Sequence, residues 1–119
     1  MAVTGRVISA RFPYLPLELT VRGRTEQVEA LLDTGFDGDI VLPAGFVPDE
    51  RHPDTYLQWI LADGSLVQAP AYLGTVMIGA FGPFDCLITV LGEEAIVGRF
   101  ITDRFAITLD HGVRVIVER

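Results

Sequence analysis

Glu29-Ala30-Leu31-Leu32-Asp33-Thr34-Gly35 is the stretch on which the reading turns. Ala30-Leu31-Leu32 has the character of a buried strand end, and Asp33 follows at once, so a carboxylate stands where that strand enters a glycine-containing turn. A desolvated carboxylate must be hydrogen-bonded, paired or protonated, and such groups gather at functional sites. Gly35 lets backbone come close to the carboxylate, and Thr34 offers a hydroxyl. Taken alone, the tripeptide reads first as a turn closed by an Asx-type side-chain bond.

Outward from this point the chain alternates apolar and polar residues. Leu17-Glu18-Leu19-Thr20-Val21 and Phe105-Ala106-Ile107-Thr108-Leu109-Asp110 are half-buried strand patterns. Turn signals at Arg22-Gly23-Arg24, Asp63-Gly64, Gly79 to Pro83 and His111-Gly112 lie close together, so hairpins rather than crossover helices join the strands. The expected class is all-β. Strands are expected at Thr4 to Ala10, Leu17 to Val21, Thr25 to Leu32, Ile40 to Leu42, Tyr56 to Leu61, Leu66 to Ala69, Tyr72 to Ile78, Asp85 to Val90, Phe105 to Asp110 and Val113 to Glu118. Pro43, Pro48 and Pro53 mark Pro43 to Asp54 as a surface loop, and only Gly98 to Arg104 looks like a short helix.

The sequence of 119 residues fits one domain, residues 1–119, and a hydrophobic share of 50% excludes a disordered segment. So apolar a composition in so small a domain points to surface covered by a second subunit. A net charge of -7 argues against a nucleic-acid partner, whose phosphates attract clustered Lys and Arg. Met1 to Ala10 lacks the basic start and apolar core of a signal peptide, and no apolar run approaches a membrane span, so a soluble cytoplasmic protein without a membrane partner is expected. Cys86 is the one cysteine and reads as a buried structural thiol; His52 and His111 form no metal-ligand cluster, and neither metal nor cofactor is expected. Glu93-Glu94 reads as a solvated turn.

About sixty residues after Asp33, Ala95-Ile96-Val97-Gly98-Arg99 is again an apolar strand ended by glycine before a short helix. Glu29 to Gly35, then Ile96-Val97-Gly98-Arg99, then a final pair of strands, together resemble the retroviral-type aspartic proteases. Asp33 to Pro43, with Asp-Thr-Gly-Phe followed by a glycine and an apolar-Pro ending, is similar to the small prokaryotic members of that clan. The resemblance runs from about Arg11 to Val117. It implies a retropepsin-like barrel with one short C-terminal helix, one lobe per chain, and an aspartic endopeptidase active as a homodimer on peptide or protein substrates. Asp33 of each subunit would be catalytic, the pair sharing one proton to activate water.

The same resemblance implies that Thr34 braces the two catalytic loops and that Gly35 offers a carbonyl to substrate. Asp37 and Val97 would line the substrate, and Asp37 would pair with Arg99; the plainer alternative for Asp37 and Arg99 is that both are ordinary surface charges. Tyr56 to Ala69 is a hairpin where the family keeps its flap, so Ala62, Asp63 and Gly64 at its tip would meet the substrate backbone. Trp59 is either an anchor of that flap or a core or interface aromatic. Phe36 departs from the small residue of the retroviral enzymes and is expected to narrow the cleft. Val113 to Val117 is apolar on both faces, and as a C-terminal edge strand it is expected to join the subunits. The rival function is a noncatalytic peptide-binding or dimerisation module on the same fold.

Overall fold

Alternation along Tyr14–Val21 (β2) buries Leu15, Leu17, Leu19 and Val21 and leaves the residues between them less covered, as a strand lying over a core must. Fully burying each of these side chains stabilises by roughly 1.5–3 kcal/mol. The structure is a computed structural model describing residues 5–47 and 51–119. Thr4, the expected start of the first strand, and residues 48–50 of the expected loop lie outside the described residues. β2 turns tightly at Arg22 and Gly23, whose φ values of 53 and 79 suit a hairpin turn, into β3 (Arg24–Leu32).

β4 (Ile40–Leu42), β5 (Thr55–Ile60), β6 (Leu66–Ile78), β7 (Phe81–Val90) and β8 (Ile96–Val97) complete a sheet ordered β2-β3-β8-β4-β7-β6-β5. A further β2–β6 pairing closes the sheet on itself and leaves β5 outside the closed ring. Inside lie Ala30, Ile40, Leu42, Tyr72, Val76, Ile88 and Val97. The one described helix is α1 (Arg99–Thr102), which seats Ile101 in that core. The all-β expectation holds, with a helix shorter than the expected Gly98 to Arg104.

β2, β6 and β7 run longer than their sequence pattern, β2 from Tyr14 rather than Leu17. β6 continues through Pro70, which sits where β6 is paired with β5 only, before β7 joins at Ala71, a position that tolerates the missing N–H. β7 begins at Phe81 rather than Asp85, because Gly82 and Pro83 fall at a register shift between the Phe81↔Ile78 and Phe84↔Val76 pairs, where a missing N–H is tolerated.

A second sheet, ordered β1-β10-β9, joins β1 (Arg6–Ser9), β10 (Arg114–Glu118) and β9 (Ala106–Asp110). This corrects the view of the C-terminal strand as an open edge. β10 is the central strand, paired with β1 on one side and β9 on the other, with Val115, Ile116 and Val117 buried. Its apolar faces are covered within the chain, so they supply no argument for a second subunit.

Candidate active site

Asp33 is delivered by the end of a pair of neighbouring strands. β3 and β8 run parallel with Leu32 opposite Val97, and the Asp33 N–H continues the ladder to the Val97 carbonyl at 3.1 Å. Leu31 N–H donates to Ala95 O at 2.8 Å and Leu32 N–H to Pro13 O at 3.0 Å, so the backbone before the carboxylate is held from both sides. The chain then turns, and Gly35 N–H donates to Asp33 Oδ1 at 2.9 Å. A Cβ on Gly35 would stand 3.3 Å from that oxygen, which explains the glycine by close approach. Asp33 is half-buried; Thr34 and Gly35 are exposed, and the Thr34 hydroxyl makes no hydrogen bond among the described residues.

Three backbone bonds stitch the loop after Asp33 to the start of α1. Arg99 N–H donates to Phe36 O at 2.8 Å, Phe100 N–H to Gly38 O at 3.1 Å, and Gly98 N–H to Asp39 O at 2.8 Å. The two glycine-ended strands singled out in the sequence are thus one structural unit. Facing it is the β5–β6 hairpin, whose Trp59 ring lies 5.0 Å from that of Phe36. At its exposed tip Gly64 has φ 86 and donates to Leu61 O at 2.9 Å. Asp63 Oδ1 accepts from Ser65 Oγ at 2.6 Å and Ser65 N–H at 2.8 Å, bonds that hold its carboxyl below the usual range.

No protein-family model and no curated protein matches the sequence. Among solved structures, the chain is similar to a retropepsin-like aspartic protease from Rickettsia conorii, with a TM-score of 0.64 and 21% identity, over 95% of this chain and 89% of that one. The chain has a retropepsin-like fold.

Within this retropepsin-like fold, two expected site contacts fall elsewhere. Asp37 is exposed and does not pair with Arg99. Arg99 Nη2 instead meets Asp103 Oδ2 at 3.2 Å, because Asp103 lies one turn along the helix that Arg99 opens. Val97 is fully buried, so its side chain belongs to the core and cannot line a cleft; Ile96, facing the other way on the strand, is half-buried. Ala62, Asp63 and Gly64 lie together at the hairpin tip, on a different segment from Asp33.

Sequence reasoning missed Asp39. It is half-buried behind the loop, its Oδ2 accepts Leu87 N–H at 2.8 Å, and burial pushes its pKa up against the lowering effects of that bond and of Arg104. Three acids within one short stretch, Asp33, Asp37 and Asp39, were a visible signal that at least one had a structural task. Glu94 is more than a solvated turn residue, since it accepts the Tyr14 hydroxyl; that bond, ahead of other causes, raises the tyrosine pKa. Cys86 is buried and its thiol is pushed up to about 12, chiefly by desolvation, which suits a structural role. Among the described residues, no three His, Cys, Asp or Glu side chains come together as metal ligands.

Proposed function

We propose that the protein is an aspartic endopeptidase in which residues 1–119 form one domain that supplies half of a site, and two copies form the enzyme. The observation that carries this reading is the setting of Asp33: a half-buried carboxylate at the end of paired parallel strands, with one oxygen fixed by the Gly35 N–H. The likeness to a retropepsin-like protease supports it at the level of fold. A single Asp-Thr-Gly in the sequence leaves the second carboxylate to a second copy, and the unengaged Thr34 hydroxyl is suited to brace the partner loop.

With two Asp33 side chains at hydrogen-bond distance, one is protonated and one is not, because like charges so close do not both ionise. The carboxylate takes a proton from water as the water oxygen bonds to the peptide carbonyl carbon, and the protonated partner donates to the carbonyl oxygen. Collapse of the resulting diol passes a proton to the amide nitrogen, breaks the C–N bond and releases an acid and an amine. The β5–β6 hairpin closes over the peptide, with Ala62, Asp63 and Gly64 against its backbone. Asp37 and Gly35 serve the same peptide from below. A cytoplasmic location belongs to the same proposal and is compatible with a buried free thiol; no described helix is long and apolar enough to cross a membrane.

The test is cleavage of a diverse peptide library from acidic to neutral pH by wild type and Asp33→Asn. Loss of turnover by about 10⁴-fold is expected in a variant that keeps its fold, since the amide is nearly isosteric but cannot act as base. Specific activity should also fall on dilution below the dimer dissociation constant. Binding of peptides without Asp33-dependent cleavage would favour the noncatalytic module instead.

A further inference from the structure

A peptide cleaved at Asp33 must pass between the loop that follows this residue and the β5–β6 hairpin. These two walls touch at Phe36 and Trp59, whose ring centroids are 5.0 Å apart with the planes tilted by 39°. The Phe36 backbone is fixed by its N–H to Asp33 O at 3.3 Å and by its carbonyl, which accepts Arg99 N–H at 2.8 Å. Its ring lies across two glycines: a Cβ on Gly38 would stand 2.5 Å from Phe36 Cζ, and one on Gly98 2.5 Å from Phe36 Cδ2. Neither glycine has a positive φ; the missing side chain at Gly38 makes room for the ring alone, and that at Gly98 makes room for the ring together with the Phe36 and Gly38 carbonyl oxygens. The backbone of Gly38 and Gly98 and the tilted Trp59 indole all pack against the ring, which limits the room it has to move. Among the described residues Trp59 Nε1 is buried without an acceptor, and the Phe36 ring is part of the indole's seat.

We infer that Phe36, backed by Trp59, determines specificity by closing the cleft beside Asp33, so that the substrate residue lying against it is Gly, Ala or Ser. The inference rests on the peptidase reading. Floor and roof already meet at this place, and a substrate side chain of leucine size has to displace one ring to enter. The departure from a small residue at position 36 therefore selects among peptides and leaves the aspartate free to act.

The experiment profiles library cleavage by mass spectrometry for wild type, Phe36→Ala, Trp59→Leu and Asp33→Asn. It then measures kcat/KM on paired peptides with Ala or Leu at the selected position. Wild type should cut with small residues at one position flanking the scissile bond. Phe36→Ala should raise the Leu/Ala ratio of kcat/KM by at least about tenfold, within the range that pocket methylenes command. Trp59→Leu should move the ratio the same way by removing the roof. Partial misfolding lowers both rates together and leaves their ratio unchanged, so the ratio reports the pocket. Asp33-dependent cleavage with unchanged ratios overturns the inference and spares the peptidase reading. So does a wild-type profile that accepts large residues at every position beside the cut, whether or not the variants fold. Absence of any Asp33-dependent cleavage overturns both.

Discussion

Gly98→Ala is the sharpest test of how the catalytic loop is held. Gly98 has φ -103 and ψ -176, an extended conformation open to any residue, so alanine brings no backbone strain. What it brings is collision: the new Cβ would lie 2.8 Å from Phe36 O, 2.5 Å from Phe36 Cδ2 and nearer still to the Gly38 carbonyl oxygen. Two of these atoms are main chain and cannot rotate away. The loop has to withdraw, at an overpacking penalty of about 1–3 kcal/mol, and it loosens the bonds from Gly98, Arg99 and Phe100 N–H to Asp39, Phe36 and Gly38, each worth about 0.5–1.5 kcal/mol. A loss of about 3–5 kcal/mol follows. At about 4 °C per kcal/mol for a domain of this size, Tm should fall by about 12–20 °C. Gly112→Ala is the control, with φ 72 but nothing within 4 Å of the new Cβ, and should cost about 1–2 kcal/mol through conformation alone. Thermal unfolding followed by circular dichroism reads both variants. If Gly98→Ala melts within about 4 °C of wild type, or no lower than Gly112→Ala, the loop is not stitched to α1 as described.

Gly64→Val should leave stability within about 2 kcal/mol, since its Cβ meets nothing within 4 Å, yet lower kcat/KM at least about tenfold by forcing a β-branched residue to φ 86 at the hairpin tip; unchanged kinetics removes the flap role. Asp39→Asn tests the buried carboxyl through pH. Because burial raises the pKa of Asp39 above 3.8, the folded state holds its proton where the unfolded state releases it, so wild-type stability relative to the variant should fall as pH rises through the raised pKa. Urea midpoints from acid to neutral pH that show a constant or opposite difference count against desolvation as the cause. Cys86, with its thiol pushed up to about 12, should resist iodoacetamide at neutral pH until the protein unfolds, and rapid native-state labelling would contradict its burial.

Local pattern carried much of this molecule. The alternation in β2, the apolar run into Asp33 and the glycine signals at positions 23, 64 and 112 depend on neighbours a few residues apart, and each appears where the sequence places it. What escaped depends on distant partners. Pro70 reads as a strand break until the pairing shows that β6 has one neighbour there. Val113 to Val117 reads as an edge because nothing in its own residues reveals strands on both sides. At the site, Asp33 and the hairpin were legible, whereas the partner of Arg99 was not, since an i,i+4 acid competes directly with a loop acid. The Phe36–Trp59 contact joins two segments that share no periodicity.

The pairing of β1 with β10 sets an order of events. Arg6 lies opposite Glu118 and Ser9 opposite Val115, so the earliest strand finds its neighbour only among the latest residues described. During synthesis β1 has no place to dock until β9 and β10 have emerged, and the three-stranded sheet closes as a late step with a large loop entropy behind it. The β2–β3 hairpin is free of that wait, because its register from Val21↔Arg24 to Tyr14↔Leu31 is complete within one contiguous stretch. The turn entering Asp33 is therefore shaped early, while its seat against β8 comes after most of the chain has been made.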